Sequence, residues 1–322
     1  MQILEAALAG HRLHPFKAAP LQRLERQLRR RLRRAGSLQQ HLPRLAGPLV
    51  PTVLDPLRQL AALVPGDGDA TEASLNILRQ LNHQPLQLLQ EHCRGAPLLA
   101  VVVGCRSRWA QAQHCRQRLA QAWTLPCVIA TGNPRLADWQ WRFDPASGQL
   151  ELPCGDGYEH LPAKLLSLAL VLGQLRQPPG LLKLDDDAAP SRDNHSLLQL
   201  LSQLQTSGQL AAGLRCHTDP PGQLDRGWHL GKCRSQRANH TSFSSLAPEQ
   251  WLSGGAGYLL SPAGVQALAR HSLIHWGFVE SMLYEDVCVS ALLQRHPGAI
   301  LWLDDPRVLA VTNERLQELA LP

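Results

Sequence analysis

The chain has 322 residues, 44% of them hydrophobic, enough to bury one large core or one core with a smaller appendage. Its longest apolar stretches, Leu98 to Val103 and Leu165 to Leu172, fall short of the roughly 20 residues that cross a bilayer, which argues against a membrane-spanning helix. The net charge of +6 sits in residues 1–40, with nine Lys/Arg against two Glu; the remainder balances 23 basic with 24 acidic residues and suggests no polyanion-binding face.

The N-terminal residues lack a basic region ahead of an apolar core, so no secretory signal is read there and a cytoplasmic protein is expected. Leu21, Leu24, Leu28 and Leu32 recur at helical spacing among Arg23, Arg26, Arg29, Arg30, Arg31, Arg33 and Arg34. Three readings of this amphipathic helix stay open. It docks on the main domain, adsorbs to an anionic membrane surface, or binds nucleic acid. The last lacks any interleaved aromatic residue. Residues 38–65 are rich in Leu and Pro, Pro65 to Asp69 reads as a turn or linker, and a helix is expected over Thr71 to Cys93.

From Pro97 onward, strands alternate with helices. Strands are expected at Leu98 to Val103, Cys127 to Ala130, Leu181 to Leu184, Leu210 to Cys216, Ala256 to Leu260 and Ala299 to Leu303. Helices are expected at Arg108 to Trp123, Ala163 to Leu175 and Ser196 to Leu204. The order implies a basic helical region, 1–95, and an α/β domain, 96–322, built on a mostly parallel, doubly wound sheet. Cys93, Cys105, Cys115, Cys127, Cys154, Cys216, Cys233 and Cys288 form no CxxC pair, so zinc-site spacing is absent and reduced thiols are expected.

The strand Leu181 to Leu184 runs into Asp185, Asp186 and Asp187. Three adjacent like charges need a cation, and hard oxygen donors at a strand's C-terminal end suit Mn²⁺ or Mg²⁺ holding a polyphosphate. A solvated acidic turn is the plainer alternative. Ser253 to Ser261 is a glycine-rich entry into a strand, where Gly254 and Gly255 let a backbone approach a sugar or phosphate. Glu285 and Asp286 open an apolar helical segment; there they are capping groups or a proton acceptor. Asp156 to Lys164 precedes the long helix, with Lys164 an ordinary surface lysine or a phosphate or carboxylate contact. Of the tryptophans between the two acidic clusters, Trp228, Trp251 and Trp276, one can serve as a stacking platform for a sugar, although core packing is the commoner fate.

In order, these pieces resemble the β-1,3-galactosyltransferase, β-1,3-N-acetylglucosaminyltransferase and Fringe family of inverting glycosyltransferases. The residues that carry the likeness are Arg118 to Trp123, Tyr158 to Lys164, Lys183 to Asp187, Ser253 to Ser261 and Glu285 to Val287, over roughly residues 97–305. The resemblance implies a glycosyltransferase-A fold, a Rossmann-like mixed sheet flanked by helices, with an N-terminal helical extension. It implies a UDP-sugar donor of the galactose or N-acetylglucosamine class, held through Mn²⁺ or Mg²⁺, and a glycan or lipid-linked glycan acceptor. By that likeness Asp187, with Asp185, holds the metal, and Asp185 or Asp186 assists through water or ribose. Lys164, Arg106, Arg108 and Arg118 lie near the nucleotide. Asp286 is the general base, with Glu285 beside it. Where the family has Asn-Leu-Thr this chain has His160-Leu161-Pro162, and no histidine lies in residues 301–313 to complete a metal shell, leaving Asn313 or water. With no anchor or disulfide framework read in the sequence, the resemblance is to a bacterial-type cytoplasmic member, which the basic helix can hold at the inner membrane face. Two other classes remain: a metal-dependent nucleotidyltransferase, and a non-catalytic nucleotide-sugar- or polyanion-binding protein.

Overall fold

Leu98–Val103 (β1) buries all six side chains, as a continuous apolar run must when both faces of its sheet are covered. The computed structural model describes residues 68–190, 194–217, 223–240, 243–246, 248–305, 309 and 311–313. The basic helix expected over residues 21–34 lies outside them. Two compact units are present. Among the described residues, 68–83 with 273–275 belong to the first, which contains α1 (Gly68–Leu81), and the others belong to the second.

The single helix expected over Thr71 to Cys93 is two, α1 and α2 (His83–Cys93). Pro85 supplies the reason: it has no N–H for the Leu81 carbonyl, and its ring clashes with that carbonyl in a continuous helix. After β1 come α3 (Trp109–Ala122), β2 (Cys127–Gly132), β3 (Arg142–Asp144), β4 (Gln149–Leu152) and α4 (Leu161–Gly173). Then follow β5 (Gly180–Asp185), β6 (Ala188–Pro190), α5 (His195–Ser207), β7 (Ala211–His217), β8 (Gln223–Arg226), the short α6 (Gln236–Asn239), β9 (Phe243–Leu246), β10 (Gln250–Leu252) and β11 (Tyr258–Leu260). The described chain closes with α7 (Pro262–Ile274), α8 (Trp276–Ser281), α9 (Glu285–Leu293), β12 (Ile300–Leu303) and β13 (Val311–Asn313).

The main sheet has nine strands. β2, β1 and β5 run parallel side by side, β4 joins β2 in parallel, and β3 closes that edge antiparallel. On the other side β11 lies antiparallel between β5 and β7, β10 continues along β7, and β12 pairs β7 in parallel. The sheet is therefore mixed, with most of its strands pointing one way, as in Rossmann-like folds.

Strand alternation sorts the core into two layers. Leu99, Val101 and Val103 of β1 pack in one cluster with side chains of α2, α4, α7 and α9. Leu98, Ala100 and Val102 pack in the other with α3 and α5. Helices thus cover both faces. The α4 sequence is apolar around nearly its whole circumference, which suits a helix buried on all sides, and Pro162 sits in its first turn, where no donor is needed.

A hydrogen bond ties the middle of α9 to the sheet. The buried Ser290 hydroxyl accepts the Leu252 N–H at 2.9 Å. Ser290→Ala leaves that donor unsatisfied, and denaturant unfolding should show a loss of about 1–3 kcal/mol. No described helix is long and apolar enough to cross a membrane. All eight cysteines are free, and six of them are buried.

Candidate functional site

The aspartate triplet splits because successive residues at a strand end face opposite ways. Lys183 and Asp185, two apart on β5, share a side, and Lys183 Nζ lies 2.6 Å from Asp185 Oδ1. Asp186 turns to the other side and pairs with Arg108 Nη2 at 3.1 Å. Asp187 is half-buried just before β6, where β13 places Asn313 opposite Ala188 in the backbone register. Arg118 donates to the Ala188 carbonyl at 3.0 Å, one residue beyond the triplet.

Lys183 is the centre of the constellation. Its side chain is 2% exposed, and besides Asp185 it meets Glu285 Oε1 at 2.6 Å and donates to the Gly254 carbonyl at 3.0 Å. An ammonium has three protons, and these partners take all three. The second Glu285 oxygen accepts from the Tyr258 hydroxyl at 2.7 Å. The residues Asp185, Gly254, Tyr258 and Glu285 thus converge on one buried cation. Burial pulls the Lys183 pKa down, but the charges of Asp185 and Glu285 outweigh it and hold the ammonium protonated.

The glycine loop brings the two acidic clusters together by a break in pairing. Leu252 of β10 pairs with Arg215, and Tyr258 of β11 pairs with Gly213, so Ser253 to Gly257 stand opposite Leu214 alone. Ser253 N–H donates to the Leu214 carbonyl at 2.9 Å, and the remainder loops out. The strand expected from Ala256 therefore begins only at Tyr258. Gly257 has φ +74°, and a Cβ there would stand 2.9 Å from the Lys183 carbonyl. A Cβ on Gly254 would meet Glu285 Oε1 at 2.9 Å and Asp286 Oδ2 at 3.0 Å. A side chain at Gly254 would therefore crowd both carboxylates and make them shift. Gly254 N–H donates to Asp286 Oδ2 at 3.0 Å, while Gly255 is exposed on the loop.

Asp286 opens α9 with its Oδ1 accepting the Val287 N–H at 2.8 Å. Burial first, then the neighbouring Glu285 charge, push its pKa up to about 7 against the pull of the Gly254 N–H. Burial also raises Asp186, to about 6, against Arg108. Tyr158 titrates above its ordinary value, through burial and then the charges of Asp286, Tyr284, Asp185 and Glu285.

Lys164 engages other partners. Its ammonium, 1% exposed, bonds to the Gly104 carbonyl at 2.6 Å and to Asp156 Oδ1 at 3.0 Å. Asp156 also accepts from Gly132 N and Arg106 N, each at 2.7 Å. The pair ties together the C-terminal ends of β1 and β2, and the Arg106 guanidinium pairs with Glu151. Sequence reasoning gave no role to Lys183, Tyr258 or Asp156. The two-residue spacing of Lys183 and Asp185 on a strand was a usable signal for the first. Tyr258 and Asp156 had none beyond standing inside the motifs.

Among the described residues no group of three or more His, Cys, Asp or Glu side chains is arranged to hold a metal ion. Asp185 offers a side chain 38% exposed, with only Oδ1 bonded among the described residues, and Asp187 stands beside the β5 terminus. No protein-family model matches the chain. No curated protein matches it either.

Proposed function

We propose that the chain is a metal-dependent inverting glycosyltransferase of glycosyltransferase-A architecture. It moves a hexose of the galactose or N-acetylglucosamine class from a UDP-sugar to a hydroxyl of a glycan acceptor. One observation carries the reading: Asp185 at the end of β5 and Glu285–Asp286 at the start of α9 meet around Lys183 and Gly254. Carboxylates distant in sequence share one site at the C-terminal edge of the parallel strands, where α/β sheets keep their ligands.

The donor set fits Mn²⁺ or Mg²⁺, which take one or two protein carboxylates and complete their shell with substrate phosphates and water. Asp185 and Asp187 would hold the ion, whose charge offsets the negative charge growing on the departing diphosphate. Asp286 accepts the proton of the acceptor hydroxyl as that oxygen attacks the anomeric carbon. The bond from that carbon to the diphosphate oxygen breaks, its electron pair leaves with UDP, and the configuration inverts. A carboxyl group raised to about 7 is well matched to this task near neutral pH. Lys183 holds Asp185 and Glu285 in position beside the base.

The test is incubation of the full chain with a panel of UDP-sugars, with and without Mn²⁺, scoring UDP release. Slow hydrolysis specific to one donor and abolished by EDTA is expected. If no UDP-sugar is turned over with any divalent ion, the proposal fails.

A further inference from the structure

Glu285 and Asp286 are neighbours at the start of α9, yet they have opposite surroundings. Asp286 is half-buried, whereas Glu285 is 5% exposed. A glutamate in a first helical turn ordinarily points to water or back to the free N–H groups there. Glu285 does neither. Its Oε1 lies 2.6 Å from Lys183 Nζ, and its Oε2 accepts the Tyr258 hydroxyl at 2.7 Å, with both partners themselves buried. At that exposure, and with each oxygen engaged from the core side, the carboxylate is not open to an acceptor hydroxyl.

These contacts close a ring around the candidate base. Lys183 donates to the Gly254 carbonyl at 3.0 Å, and the N–H of the same glycine donates to Asp286 Oδ2 at 3.0 Å. The last side of the ring is the peptide bond from Glu285 to Asp286. A shift of the Glu285 side chain therefore moves Lys183, then Gly254, then the donor that holds Asp286. A buried charged cluster is often no more stable than apolar side chains of the same volume, so stability alone does not account for this one.

We propose that Glu285 is a positioning residue: clamped by Lys183 and Tyr258, it aims Asp286 through the Gly254 loop and sets a negative charge beside it, while taking no proton itself. This rests on the glycosyltransferase reading and deepens it, dividing two adjacent carboxylates between aiming and proton transfer. Besides Glu285, the groups facing Asp286 are Tyr284 and Cys288 on its own segment, Lys183 on β5, Cys216 on β7, Tyr258 on β11 and Tyr158 ahead of α4. Burial pushes the tyrosines and cysteines upward, so they stay neutral near pH 7. The charged neighbours are thus Glu285, which raises the Asp286 pKa, and Lys183, which lowers it.

The experiment compares wild type with Glu285→Gln and Tyr258→Phe, using the UDP-sugar that wild type hydrolyses best. Gln keeps the shape and both hydrogen bonds but removes the charge. Its plateau kcat/KM should fall less than about tenfold, and its acid limb should move to lower pH. At pH 5.5 wild type should stand about thirtyfold below its plateau and Glu285→Gln less than about tenfold below its own. A plateau loss of about 10²-fold or more would make Glu285 a proton acceptor and overturn the proposal, as would an unmoved limb. Tyr258→Phe keeps the charge and releases one arm of the clamp, so its limb should stay about 7 while kcat falls about threefold to tenfold. An unchanged kcat there overturns the positioning role. Carboxyl ¹³C NMR of the full chain reads the Asp286 titration without any substrate, its resonance assigned by loss in Asp286→Asn. A lower midpoint in Glu285→Gln than in wild type supports the proposal, and an equal midpoint overturns it. Absence of UDP-sugar hydrolysis by wild type strikes the transferase reading instead, so the two failures are distinguishable.

Discussion

Asp286→Asn is expected to lower turnover by about 10²–10⁴-fold, the range a positioned general base contributes, with the UDP-sugar KM little changed. Asn keeps the shape and can still accept the Gly254 N–H, but it cannot take a proton from the acceptor. The pH dependence supplies a second measurement. Asp286 ionises about 7, and only its ionised form is a base, so wild-type kcat/KM should fall about tenfold per unit as pH drops below 7. Folding responds in the opposite sense. A carboxyl group raised in the folded state contributes stability that is fully present below the ordinary carboxylate range and is lost as pH rises through about 7. Denaturant midpoints of wild type should therefore decline between pH 5 and 8, and the Asn variant should lack that part of the slope. Undiminished turnover in Asp286→Asn would remove it from the chemistry.

Lys183→Met should cost about 3–5 kcal/mol of stability, because removing one partner strands a buried charge. Glu285 bears most of this, with a side chain 6% exposed, while Asp185 at 38% can recover hydration. Adding Glu285→Gln to Lys183→Met should restore part of the loss, and a double-mutant cycle on urea midpoints measures the coupling. A single-variant loss below about 1 kcal/mol would mean that Lys183 does not organise the cluster. The loop Ser253 to Gly257 should loosen in the same variant, since the Gly254 carbonyl loses its donor.

How far the sequence reached varies with the range of the interaction concerned. The runs Leu98 to Val103 and Leu181 to Leu184 announce buried strands because their apolar continuity is local, and the structure has them as β1 and β5. The helix begun by Glu285 was legible for the same reason. Pro85 was equally visible, yet the apolar periodicity on either side masked the helix break it causes. The hairpin of β3 and β4 escaped notice because its strands are three and four residues long, too short for alternation to stand out from loop sequence.

The sequence by itself settled the alternation of strands and helices and displayed both acidic clusters. Tertiary structure decided which cation answers the triplet, and the answer is divided: Lys183 for Asp185, Arg108 for Asp186. It also decided that Lys164 serves Asp156, and that Gly254 touches Asp286 across a break in strand pairing. Those outcomes depend on sheet register and on contacts between residues far apart along the chain. Composition and periodicity record what a residue prefers as its surroundings, whereas register determines which neighbour it receives.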